Sequence, residues 1–155
     1  KLLVLMVFLL SVTLLPALLL VLMQLAFAGN TEFLSKNLFV IPAVVLASLV
    51  QVLVASFTML ALSSLSKSSR YVSLLYTGAI FFTEAMFNAL RVITGSTRVA
   101  WISLTANLDQ VRDAMFRMPA EYETPVLVSV LVLTALVVLS ISVLERRVKG
   151  VEVVS

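Results

Sequence analysis

Residues 38–62 read LFVIPAVVLASLVQVLVASFTMLAL, a run without one charged side chain. A helix rises about 1.5 Å per residue and the hydrocarbon core of a bilayer is about 30 Å thick, so about 20 apolar residues make a span. The run is apolar on every side. A helix packed on a water-soluble core keeps one polar face, and this one has none. Working outward, Leu2 to Phe27 and Val126 to Leu144 are also free of charge, and Tyr71 to Leu90 is interrupted only by Glu84. The pattern predicts an all-α fold, a polytopic transmembrane helix bundle of four spans within one incomplete transmembrane domain covering residues 1–155. Strands of a membrane barrel would read as alternating segments of about 10 residues, and no such alternation occurs.

Composition agrees. Of the 155 residues, 61% are hydrophobic and 12% charged, against about 25% charged in an ordinary soluble domain. Too few polar side chains remain to cover a water-facing surface of this size. The chain has no Cys and no His. That removes disulfides, thiolate and imidazole metal ligands, a Cys nucleophile and His-based acid–base pairs together. Its glycines are Gly29, Gly78, Gly95 and Gly150, too scattered for a phosphate-binding loop. No catalytic residue, cofactor site or metal site is expected, and the chain is not expected to be an enzyme. The net charge of +3 points to topology rather than to nucleic acid. The first residue is Lys, and the apolar run from Leu2 to Ala28 exceeds the core of a signal peptide, which is about 7–15 residues. The expectation is a piece of a longer protein.

Basic residues orient the spans. Lys67 and Arg70 lie in the short connection Ser63 to Arg70, and Arg146, Arg147 and Lys149 follow the last span. Two spans separate these basic segments, so both fall on one side, which the excess of Lys and Arg marks as cytoplasmic. Gly29 to Asn37 and the long Arg91 to Pro125 segment then lie outside. The expected location is the plasma (inner) membrane of a prokaryote, with the C-terminus in the cytoplasm.

The outer segment has its own pattern. Trp101, Leu104, Leu108, Val111 and Met115 recur at helical spacing, with Asp109, Arg112, Asp113 and Arg117 off that stripe. Asn107 followed by Gln110 reads as an N-cap and its return partner. The spacing predicts an external helical segment over about 96–118, two short helices meeting near Ala106 and Asn107. They would lie at the membrane surface as a connector or dip back into the protein as a lid over an exit path.

Four polar positions stand out within or beside the spans: Gln51, Glu84, Asn88 and Arg91. Ser48, Gln51, Ala55 and Thr58 recur on one face, the spacing of a helix–helix contact or of a lining surface. An amide near mid-membrane needs a partner, because leaving it bare in lipid costs several kcal/mol. Glu84 shares a face with Asn88 and Arg91. It reads either as a carboxylate paired with Arg91 or tucked under the external helices, or as a residue of a substrate or proton pathway.

The run PAVVLASLVQVLVASFTMLALSSLSKSSRYVSLLYTGAIFF resembles the membrane subunits of type 2 ABC transporters, in which a span ends in a Ser-rich basic turn and the next begins at once. Here Ser63, Ser64, Lys67, Ser68, Ser69 and Arg70 form that turn. WISLTANLDQVRDAMF resembles the extracellular helix pair placed before the last span, and LERRVKGVEVVS the cytoplasmic tail. The resemblance implies a permease subunit, an exporter, whose last four spans are present and whose first two are missing. It implies partnership with two cytoplasmic ABC ATPase subunits and a second permease chain within membrane lipid, with Lys67 and Arg70 facing the ATPase. The competing expectation is a non-transporting membrane anchor or assembly subunit.

Overall fold

The computed structural model describes residues 2–27, 38–66 and 68–152, and all of its regular structure is helical. Helix α1 covers Leu2–Phe27 and α2 covers Val40–Leu65. A short turn leads to α3, Ser69–Thr94. A 3-10 helix, Arg98–Ile102, precedes α4, Leu104–Phe116. The last helix, α5, is Val126–Glu152. Among the described residues three helices are long and apolar enough to cross a membrane: Leu2–Gln24, Val40–Leu65 and Val126–Arg146. Helix α3 matches them in length, with 26 residues. It falls short in apolarity because Glu84, Asn88 and Arg91 dilute its second half.

The local chemistry accounts for the boundaries. Pro42 sits in the first turn of α2, where the missing N–H would have had no helical partner. Helix α1 continues through Pro16 as one helix. Helix α3 stops at Gly95, whose φ of 64° places it in the left-handed region and whose amide bonds the Arg91 carbonyl at 2.9 Å. Glycine is the residue for that cap because it has no Cβ to clash.

Helix α4 lies within the bundle and not on its surface. Its Val111 is buried with Val54 of α2 and Leu133 of α5, and Leu104, Leu108 and Met115 pack around them. Toward its C-terminus, the Arg117 guanidinium stands 5.0 Å over the Phe39 ring, just ahead of α2. At its N-terminus, Leu104 shares a cavity with Thr58, Tyr76 and Leu136. These pairings run α4 antiparallel to both α2 and α5. The chain therefore leaves α3, turns back into the bundle through the 3-10 helix, and returns along α4 to the same end. Of the two placements open to the sequence, the dip into the protein is the one found.

The stripe expected on this segment holds in α4 but not before it. Trp101 is half exposed, at 49%, on the 3-10 helix. The tighter 3-10 winding takes it off the face that Leu104, Leu108, Val111 and Met115 share.

Candidate functional site: the helix break at Ser103 and two lined clefts

The break between the 3-10 helix and α4 falls at Ser103, not at Ala106 and Asn107. Ser103 is the N-cap: its backbone is extended, and its Oγ accepts the Ala106 N–H at 3.1 Å. The same hydroxyl donates to Glu84 Oε2 of α3 at 2.5 Å. A carboxylate here also meets the positive end of the α4 dipole. Ser103 is fully buried and Glu84 half-buried.

Asn107 lies inside α4, so it is not a cap and Gln110 is not its return partner. Its Nδ2 donates to the carbonyls of Trp101 at 2.8 Å and Ser103 at 2.7 Å. The Trp101 carbonyl belongs to the chain at the break, where a side chain supplies a donor; the Ser103 carbonyl also accepts the Asn107 amide at 3.1 Å. Gln110 does the same one turn on, with Nε2 donating to the Thr124 carbonyl. The Thr124 hydroxyl in turn reaches the Arg98 carbonyl at 3.1 Å. Phe87 of α3, buried to 2% exposure, sets its ring edge-on to Tyr122, 5.7 Å between centroids. The result is a polar clasp that fastens the 3-10 helix, α4 and the 118–125 connection to α3. Two buried acceptors in it, Asn107 Oδ1 and Gln110 Oε1, have no hydrogen-bond partner among the described residues.

Of the readings open for Glu84, the one found is the carboxylate tucked under the outer segment, bonded by Ser103, and not the pair with Arg91. Asn88 and Arg91 are both exposed, and among the described residues neither side chain bonds Glu84 or pairs with it. The α3 helix turns them away while the break in the outer segment brings Ser103 in. Sequence reasoning missed Ser103. The available signal was a Ser directly before an apolar periodic run, three residues ahead of Ala106.

Gln51 also departs from expectation. It is exposed and makes no hydrogen bond among the described residues. It lines a cleft of about 200 Å³ with Thr13 and Ala17 of α1, Val44 and Ser48 of α2, and Arg112 and Met115 of α4. Thr58, from the same face of α2, lines a second cavity of about 190 Å³ with Tyr76, Thr83 and Asn107. The Ser48, Gln51 and Thr58 face is therefore a lining surface in two places, closed between them by the packing of Val54 on Val111.

Arg70 is exposed at the start of α3, and Lys67 lies outside the described residues. Burial holds the Asp109 carboxyl above the usual range, opposed by the adjacent Arg112 and reinforced by Asp113, Glu121 and Glu84. Burial also raises the Tyr122 phenol, with Glu121, Asp109 and Glu84 acting in the same direction and Arg91 against it. No cluster of acidic side chains among the described residues is placed to hold a metal ion.

The described residues define a class: an all-helical fold with three helices long and apolar enough to cross a membrane, and with a helix pair folded back among them. No family model, curated protein or solved structure matches the chain.

Proposed function

We propose that the chain is the C-terminal, four-span part of the permease subunit of an ATP-driven transporter of the type 2 ABC class, acting as an exporter. The observation that carries the reading is the re-entrant pair: a short helix pair between the last two long helices, its internal break held at the level of Glu84. Interrupted backbone at membrane depth is tolerated where it is buried in protein or lines a cavity, and broken helices of this kind mark transport paths. A partly polar cleft and a more apolar one flank this pair.

On this reading α3 is also a span, the third of four. Its 26 residues give about 39 Å of helix, enough to cross. Its one acid between Tyr71 and Leu90 meets Ser103 and the α4 N-terminus, which lowers the cost of holding charge there. The Lys67 and Arg70 turn and the basic tail face the cytoplasm, Arg91 to Pro125 faces outward, and ATP hydrolysis resides on partner ATPase subunits.

One observation favours the assembly-subunit reading instead: the Leu2–Gln24 window has no buried residue, which leaves α1 free to pack against another chain. The test is purification of the full-length protein with its associated chains, followed by ATP-dependent transport in proteoliposomes. Co-purification of an ABC ATPase and ATP-dependent substrate movement are expected. A complex without ATPase activity would remove the transport reading.

A further inference from the structure

The cleft between α1, α2 and α4 differs from the other cavities in the polarity of its lining. A cavity of about 340 Å³ between α2, α4 and α5 has apolar walls apart from Thr134 and offers nothing to orient a ligand. The α1–α2–α4 cleft brings together the Gln51 amide, the Arg112 guanidinium and the hydroxyls of Thr13 and Ser48, against walls such as Val44 and Met115.

Two independent features call for an occupant there. Gln51 lies in the middle of an apolar helix, exposed and, among the described residues, unbonded, an arrangement that costs several kcal/mol if it faces only lipid. Arg112 lines the same cleft on a helix folded into the bundle, and charged side chains so placed face cavities and mark ligand paths. Asp109 engages only Nη2 of Arg112, so further guanidinium donors remain. The Thr13 hydroxyl is turned to its own helix, donating to the Leu9 carbonyl at 2.9 Å, which leaves its oxygen able to accept.

We infer that this cleft binds an amphiphile with a single anionic head group. Arg112 and Gln51 hold the head, and the apolar chain lies along Val44, Ala47 and Met115 toward the lipid. A guanidinium donating to an anion is charge-assisted and about twice as strong as a neutral hydrogen bond, and it fixes which end of the molecule enters. The inference names the substrate class for the transport proposed above and rests on that reading for the step from binding to transport.

The test uses the full-length protein in nanodiscs of phosphatidylcholine, titrated without ATP with a fluorescent fatty acid and with its methyl ester. Saturable binding of the acid is expected, with the ester about tenfold weaker because the charge-assisted bond is lost. Arg112→Gln should weaken the acid about tenfold and leave the ester unchanged. Gln51→Leu, which adds apolar surface and keeps the helix, should weaken both probes several-fold. Unsaturable uptake of the acid, or equal binding of acid and ester, overturns the inference; so does wild-type affinity in both variants. If Arg112→Gln fails to fold, the acid–ester comparison on the unmodified protein and the Gln51→Leu variant decide the matter. Absence of ATP-dependent transport with saturable, charge-selective binding intact would remove the transport reading and leave the site standing.

Discussion

The Ser103 hydroxyl donates to Glu84 Oε2 at 2.5 Å while its oxygen accepts the Ala106 amide at 3.1 Å. One buried side chain thus caps α4 and ties it to α3. Ser103→Ala removes both bonds and leaves a half-buried carboxylate without its donor. The cap is worth about 1 kcal/mol, and a hydrogen bond to a charged group about 1.5–3 kcal/mol, so a loss of about 2–4 kcal/mol is expected. Denaturant titration in detergent measures it. Ser103→Thr, which keeps the hydroxyl, should lose less than half as much.

Glu84 separates an anchoring role from a pathway role. Its carboxylate accepts from Ser103 and, among the described residues, pairs with no cation. Glu84→Gln retains an acceptor, so transport by the full-length protein should persist at near wild-type rate with a small drop in melting temperature. Glu84→Leu should loosen the clasp and lower melting temperature further. A stable Glu84→Gln protein without transport would assign Glu84 to the translocation path instead.

Phe87 is the largest fully buried side chain and meets Tyr122 edge-on. Phe87→Ala should cost about 3–5 kcal/mol through lost burial and the cavity left behind. By contrast, Arg98→Gln should change stability by less than about 1 kcal/mol, because Arg98 and its partner Glu123 are exposed at 83% and 56%. Paired melting curves of the two variants check the ranking.

Asp109 gives a pH dependence. Its carboxyl is held above its ordinary range, first by burial. A raised acid binds its proton more tightly in the folded state. Its contribution to stability is present below the unfolded value and is lost as pH rises through the folded one. Asp109→Asn should therefore remove a component of melting temperature that falls on going from acid to neutral pH. The effect should be small because the group is only half-buried and the adjacent Arg112 opposes the shift. An unchanged slope of melting temperature against pH in Asp109→Asn would contradict the assignment.

The long helices were legible because uncharged apolar runs such as 38–62 leave the chain few alternatives. The clasp was not legible in the same way. Ser103 and Glu84 are 19 residues apart, and only the depth to which the 3-10 helix carries the chain brings them together. Arg91 was the nearer cation in sequence, but α3 holds it on an exposed face. Asn107 resembled a cap because Asn favours caps, yet the same amide serves equally well inside the helix when it can donate back to the carbonyls of Trp101 and Ser103. Gln51 was expected to find a protein partner, and it opens instead on a cleft formed by helices whose relative placement no local pattern encodes.

The central claim is that α3 crosses the membrane as the third of four spans, with the re-entrant pair returning to the side from which it entered. The chain has no cysteine, so single cysteines can be placed at Ser68, ahead of α3, and at Ala120, exposed beyond α4. Each is treated in intact cells with a membrane-impermeant thiol reagent. Labelling at Ala120, with Ser68 labelled only after permeabilisation, is the predicted result. Labelling of both positions in intact cells, or of neither, would show that α3 does not cross, and labelling of Ser68 alone would reverse the orientation.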